Sequence, residues 1–261
     1  MIRGGVVSVT FRHLPTTRII ELAVDAGLAA IEWGGDVHVP HGDVAVAQAV
    51  GRRCEDNGVA TPSYGSYYRL GTSAKEGLSF DAVLDTAEAL GAGTVRIWAG
   101  NRASADVGNP DRLAMVEEAR RIADDAERRD MIVAFEYHAN TLTDTNDSAV
   151  ALMEEIDHPA VRCYWQPRNG QPADYSVAGL ESIAPWLGHL HVFHWIDSSQ
   201  RYRLSEGHDA WTRYLAFAAG IPGDRYAFLE FVLNDSPDQF LEDAGTLSRW
   251  LSAASRTAGH G

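Results

Sequence analysis

Cysteine is scarce in this chain: two residues, Cys54 and Cys163, among 261. Two thiols cannot build a disulfide framework, and their spacing matches no zinc-cysteine pattern, so each reads as a small core residue. Positive charge is also in deficit. Twenty-two Lys+Arg face 36 Asp+Glu, for a formal net charge of -14. Such a surface repels phosphate backbones and argues against a nucleic acid partner. It favours solubility, and it leaves room for a small anionic substrate held by a few arginines in a pocket. No apolar run is long enough to cross a bilayer, so no membrane partner is expected. The start, Met1-Ile2-Arg3-Gly4-Gly5, leads straight into strand-like sequence. It lacks the charged, apolar and small-residue zones of a secretory signal, and a cytoplasmic location is the expectation. There is no phosphate-binding P-loop and no Gly-x-Ser-x-Gly elbow, which sets aside nucleotide hydrolysis and serine hydrolysis. Gly91-Ala92-Gly93 reads as a helix end rather than a dinucleotide fingerprint.

What is present is a regular alternation. Runs rich in β-branched and aromatic residues occur at Gly5 to Phe11, Ala29 to Trp33, Val59 to Tyr64, Thr94 to Trp98, Ile132 to Tyr137, Val161 to Gln166, His189 to His194 and Tyr226 to Val232. Helical patterns lie between them. Ile19, Leu22, Ala23 and Ala26 share a face that ends at Gly27, and seven further helical segments follow the other strands, the last over Pro237 to Ala253. Eight strand-helix units without a break in composition predict one domain spanning residues 1–261. Right-handed crossovers between parallel strands, repeated eight times in this length, favour a closed α/β barrel, the (β/α)8 or TIM barrel, over an open sheet. The stretch Ser66 to Ser79, with Gly71 and Gly77, reads as a long loop able to cover a pocket. The tail from Ala258 to Gly261 is expected to fray.

Buried parallel strands should be apolar throughout. The last four break this rule at their carboxyl ends, with Glu136, Gln166, His191 and Glu230. Any one of them could be a surface group or an ion-pair partner. Four consecutive strands offering an oxygen or nitrogen ligand at comparable depth point to convergence, because neighbouring strands lie only about 4.8 Å apart. Barrel active sites occur at that same face. Two carboxylates, an imidazole and a carboxamide oxygen suit Mn(II), Mg(II) or Zn(II). Without a cation the two carboxylates would repel, and one would hold a proton at neutral pH. Trp33, Tyr64, Tyr67, Trp98 and Trp165 sit at or just beyond strand ends, where an aromatic wall could stack on a substrate. Core packing is the equal alternative. His38, in a loop after the second strand, could reach a substrate hydroxyl or simply be exposed. His138 and His194 flank the ligand candidates and could orient them. Arg203 could capture an anionic group.

At these residues the chain resembles the xylose isomerase-like barrel superfamily, the sugar phosphate isomerase and epimerase group. Supporting matches are Gly-x-x-x-Ile-Glu-Trp (Gly27 to Trp33), Leu190-His191-Val192 and Leu204-Ser205-Glu206-Gly207. The resemblance implies one divalent metal ion held by acids on strands five, six and eight and a His on strand seven. Glu136, His191 and Glu230 match, whereas Gln166 stands where an acid is usual and is read as a weak ligand. It further implies a metal-dependent isomerase or epimerase of a sugar or sugar-like ketone, acting through an enediolate, with Glu136 and Glu230 as the proton carriers. Members commonly form dimers or tetramers, so homo-oligomerisation is an open expectation. A lyase on the same scaffold, dehydrating a cyclic polyol ketone or a dehydroshikimate-like acid, is the alternative. A metal-free binding protein and a repair endonuclease are minor ones, the latter disfavoured by the acidic charge.

Overall fold

The computed structural model describes residues 1–197 and 200–258. Eight parallel strands form a closed ring in chain order: β1 (Ile2–Val7), β2 (Ala30–Gly34), β3 (Ala60–Arg69), β4 (Thr94–Trp98), β5 (Ile132–Glu136), β6 (Val161–Trp165), β7 (Leu187–Val192) and β8 (Arg225–Leu229). The ring closes where β1 pairs with β8, Gly5 opposite Phe228. Eight helices alternate with the strands: α1 (Thr16–Asp25), α2 (Val44–Asp56), α3 (Phe80–Leu90), α4 (Asn109–Glu127), α5 (Asn146–Ile156), α6 (Ala173–Ile183), α7 (His208–Gly220) and α8 (Pro237–Ala258). The molecule is therefore the (β/α)8 barrel that the strand-helix alternation predicts.

Local chemistry explains the boundaries. Asp43, Ser79 and Thr145 cap the amino ends of α2, α3 and α5, each accepting from a backbone N–H three residues on. Gly91 ends α3 in the left-handed region, at φ 82°. Two expectations are corrected at the edges. The first strand starts at Ile2, and Ser8–Phe11 is a buried 3-10 turn beyond its end. β3 runs on to Arg69, so the first four residues of the proposed Ser66 to Ser79 loop are strand. Of the tail expected to fray, residues 259–261 lie outside the described ones.

Successive side chains in a strand point to opposite faces, and the apolar residues separate accordingly. One face packs on the helices: Ile31, Trp33, Tyr64, Val95, Phe135, Cys163, Trp165 and Leu190 belong to the large outer core. The other face fills the ring. Val7, Ala30, Ala134, Tyr164, Tyr226 and Phe228 form a small inner cluster. Residues two further along from Ala30, Ala134 and Phe228 are Glu32, Glu136 and Glu230. The parity that packs the inner cluster thus lifts three carboxylates toward the carboxyl mouth of the barrel. Among the described residues no helix is long and apolar enough to cross a membrane.

Candidate active site

The inner face of the ring becomes polar toward the mouth. Glu32 on β2 is fully buried. It accepts from Ser63 Oγ on β3 (2.7 Å) and from Arg96 Nε on β4 (2.7 Å). Tyr164 on β6 donates its hydroxyl to Ser63 Oγ (2.7 Å), extending the network across the barrel. Arg96, 1% exposed, reaches on with Nη1 to Glu136 Oε2, which also accepts from Trp98 Nε1. Gly65 gives the guanidinium its room, since a Cβ there would sit 2.5 Å from Arg96 Nη2. One cation therefore bridges two carboxylates inside the ring, the arrangement a buried charge requires. Burial opposes ionisation of Glu32, but Arg96, His191 and Ser63 together outweigh it and hold the carboxyl at about 2. Glu136 is likewise held well below the usual range, its burial outweighed chiefly by Arg96.

His191 on β7 sits at the centre of the cluster, with no exposed surface. Its Nε2 faces Glu32 Oε1 at 3.4 Å. Its Nδ1 faces Gln166 Oε1 at 3.1 Å, Glu136 Oε1 at 3.6 Å and Glu230 Oε2 at 3.6 Å. Burial disfavours a charged imidazole, yet Glu230, Glu32 and Glu136 outweigh it and raise the pKa to about 10. Glu230 moves the other way from Glu136. Burial, with the negative charge of Glu136 beside it, raises its pKa. Among the described residues no hydrogen-bond donor is committed to the Glu230 carboxylate; only His191 lies within ion-pair distance. Its backbone is held from behind: Phe231 adopts a left-handed φ of 53°, and its N–H donates to the buried Thr10 hydroxyl (3.1 Å). A bulky residue in that region is strained and persists only where surroundings enforce it.

The donor set fits a divalent cation. One ligand atom each from Glu136, His191 and Glu230 lies within 4.8 Å of the others, and all three side chains are buried. Glu136 presents one oxygen inward because its second is taken by Arg96 and Trp98. His191 presents Nδ1 inward while Nε2 faces a carboxylate, the geometry of a histidine ligand braced by an acid. With His191 neutral, three carboxylates and one guanidinium leave the cluster at -2, matching one divalent ion. The only other such grouping among the described residues, Asp124, Glu127 and His158, lies on the surface, with both acids exposed.

Above the cluster opens a cavity of about 680 Å³ whose wall includes Glu136, Gln166, Glu230, Tyr67, Trp98 and His138. Trp98 and His138 stack with ring centroids 4.4 Å apart. The other substrate-contact candidates lie outside it, and strand parity is the main reason. Trp33, Tyr64 and Trp165 point outward into the helix layer. Trp165 packs on Trp211 and Tyr214, and the Tyr64 hydroxyl donates to the Val39 carbonyl. His38 is buried against Ser8 Oγ (3.0 Å). His194 packs at a tilt against Tyr202 and lines a neighbouring cleft. Arg203 is exposed, 3.5 Å from Glu242. The sequence reading missed Glu32 and Arg96, although a charged residue inside each of two otherwise apolar strands was the available signal. It also missed Arg12 and Arg168, which line the cavity from the loop after β1 and from the loop after β6.

Comparison with known proteins agrees with the barrel fold. A family model described as xylose isomerase-like TIM barrel matches residues 20–243. A 3-dehydroshikimate dehydratase of Bacillus anthracis is 26% identical over 203 residues, covering 70% of this chain and 69% of that protein. A xylose isomerase-like TIM barrel protein from Mycobacterium smegmatis, solved in complex with magnesium, superposes with a TM-score of 0.73 at 17% identity, over 97% of each chain. D-psicose 3-epimerase from Clostridium cellulolyticum H10, solved with D-tagatose, gives 0.64 at 17% identity over 99% of this chain and 98% of that one.

Proposed function

The chain belongs to the xylose isomerase-like TIM barrel family, and from that premise we propose that it is a divalent-metal-dependent enzyme that moves a proton next to the carbonyl of a sugar-like ketone, isomerising or epimerising it. The observation that carries this reading is the convergence of Glu136, Glu230 and Gln166 oxygens on His191 Nδ1 at the floor of the cavity. Those four side chains would hold the ion, with Mn(II) or Mg(II) preferred for a set rich in oxygen. When bound, such an ion acts as a Lewis acid toward a substrate oxygen and stabilises negative charge that develops there.

The chain's own residues divide the remaining work. Glu136 is fixed by two N–H donors and held ionised, so its role is to bind and orient. Glu230 has no committed donor and its pKa is raised, the properties of a carboxylate that exchanges a proton during turnover. The C–H proton passes to Glu230, the electron pair it leaves forms a carbon–carbon double bond, and the carbonyl π pair moves onto its oxygen to give an enediolate, which regains a proton at carbon as the carbonyl re-forms. Trp98 and His138 supply a flat wall against which a ring or extended polyol stacks.

Dehydration is the second reading. It is favoured by the Bacillus dehydratase relative, and by hydrogen bonding that ties up Glu136 and leaves Glu230 without a committed donor. Both readings share the first step, and one experiment separates them. Protein loaded with Mn(II) is incubated in D2O with ketoses, cyclic polyol ketones and 3-dehydroshikimate. Deuterium entering a product of unchanged composition supports isomerisation or epimerisation. Loss of water with a new conjugated ultraviolet band supports the lyase. Neither change with any ketone, in protein shown to bind the ion, refutes both.

A further inference from the structure

Gln166 is the one member of the converging set that cannot ionise, and its carboxamide is the feature that metal retention alone does not require. Its Oε1 points at the centre, 3.1 Å from His191 Nδ1. A carboxamide is planar, so Nε2 is directed away from that imidazole. The side chain is half-buried and lines the cavity, and among the described residues its NH2 has no partner. Of the other N–H donors beside the cluster, Arg96 Nη1 and Trp98 Nε1 both donate to Glu136 Oε2, while Arg96 Nη2 has no partner but is buried against Gly65 rather than lining the cavity. Ser63 Oγ and Arg96 Nε are directed at Glu32, beneath the floor. Gln166 Nε2 is thus a free donor of the floor that faces the space a substrate oxygen would enter.

Charge supports the same assignment. With a carboxamide at position 166 the cluster carries -2 and is neutralised by one divalent ion. A carboxylate there would leave -1 under the oxygen on which an enediolate develops its charge, opposing that charge at close range.

We propose that Gln166 is a catalytic residue with two functions: Oε1 completes the donor set, and Nε2 donates a hydrogen bond to the substrate oxygen that becomes negative when Glu230 takes the proton. This rests on the enediolate reading above. The bonds broken and formed are those already given; Gln166 exchanges no proton and stabilises the charge by a hydrogen bond.

The test uses oxalate, a planar dianion that presents two adjacent oxygens as an enediolate does. Calorimetry gives the Kd of Mn(II), and then of oxalate on the Mn(II)-loaded protein, for wild type and two variants checked for native melting. Gln166→Glu keeps the oxygen, removes the donor and adds one negative charge, which acts on oxalate in the same direction as loss of the donor, whereas Gln166→Met removes the donor without adding charge. Gln166→Glu is expected to bind Mn(II) as tightly as wild type or tighter, and oxalate about 10- to 100-fold more weakly, the range for a hydrogen bond to a charged group. Gln166→Met removes both functions and is expected to weaken both. Oxalate affinity unchanged in either variant, or no binding of oxalate to wild type, overturns the donor. Mn(II) affinity unchanged in Gln166→Met overturns the ligand. The outcomes are separable from failure of the functional reading: a wild type that binds Mn(II) and oxalate but exchanges no deuterium with any ketone leaves the donor in place and refutes the reaction.

Discussion

Replacing Arg96 by Met should be among the most damaging single changes in the barrel. The guanidinium is 1% exposed and donates to Glu32 (2.7 Å) and to Glu136. Met fills much of the volume, so the cost is electrostatic rather than a cavity. Removing one partner of a buried ion pair costs about 3–5 kcal/mol, because the other charge is left without compensation. Here two carboxylates lose their counterion at once. At about 2–4 °C per kcal/mol for a domain approaching this size, Tm should fall by roughly 6–20 °C. Two companions locate the effect. Glu32→Gln combined with Arg96→Met removes one of the stranded charges and should recover part of the loss. Saturating Mn(II) should raise the Tm of Arg96→Met by more than it raises wild type, because the ion supplies the missing positive charge. Calorimetry on the three proteins, with and without Mn(II), measures all of this. An Arg96→Met variant melting within 2 °C of wild type would refute the bridging role.

Two further outcomes follow from the same packing and charges. Gly65→Ala would place a Cβ 2.5 Å from Arg96 Nη2 and 3.1 Å from Glu32 Oε1. Overpacking of this kind costs about 1–3 kcal/mol, and calorimetry should show a matching fall in Tm. Asp243 on α8 is buried, which lifts its pKa to about 6 despite hydrogen bonds from Gln239 and Leu204. The folded value lies above the unfolded one, so its contribution is fully present below about pH 4 and is lost as pH rises through 6. Asp243→Asn, which keeps an acceptor and cannot ionise, should match wild type at pH 4 and melt higher at pH 8; equal melting at both pH values contradicts the assignment.

Strand and helix identity were readable because period-2 and period-3.6 patterns alternate cleanly from Val6 to Ala253, and the ring follows from eight repeats. Ends were less readable where sequence and geometry diverge. Ser66 and Tyr67 look like loop, yet β3 carries them to Arg69. The convergence of Glu136, His191 and Glu230 was legible because four neighbouring strands each place a ligand type at the same height. The residues beneath them were not. Glu32 is flanked by Ile31 and Trp33, and only the parity of the strand tells which of the three enters the ring. Had that parity been followed, Trp33, Tyr64 and Trp165 would have been placed in the helix layer. Loop residues such as Arg12 and Arg168 carry no periodicity at all, and their presence in the cavity is set by backbone path alone.

The most direct measurement is the anomalous difference map of crystals soaked in Mn(II). A single strong peak within coordination distance of Glu136, Gln166, His191 Nδ1 and Glu230, absent from His191→Ala crystals, is the expected result. A peak only at the surface group of Asp124, Glu127 and His158, or none within reach of His191, would contradict the metal centre and the chemistry built on it.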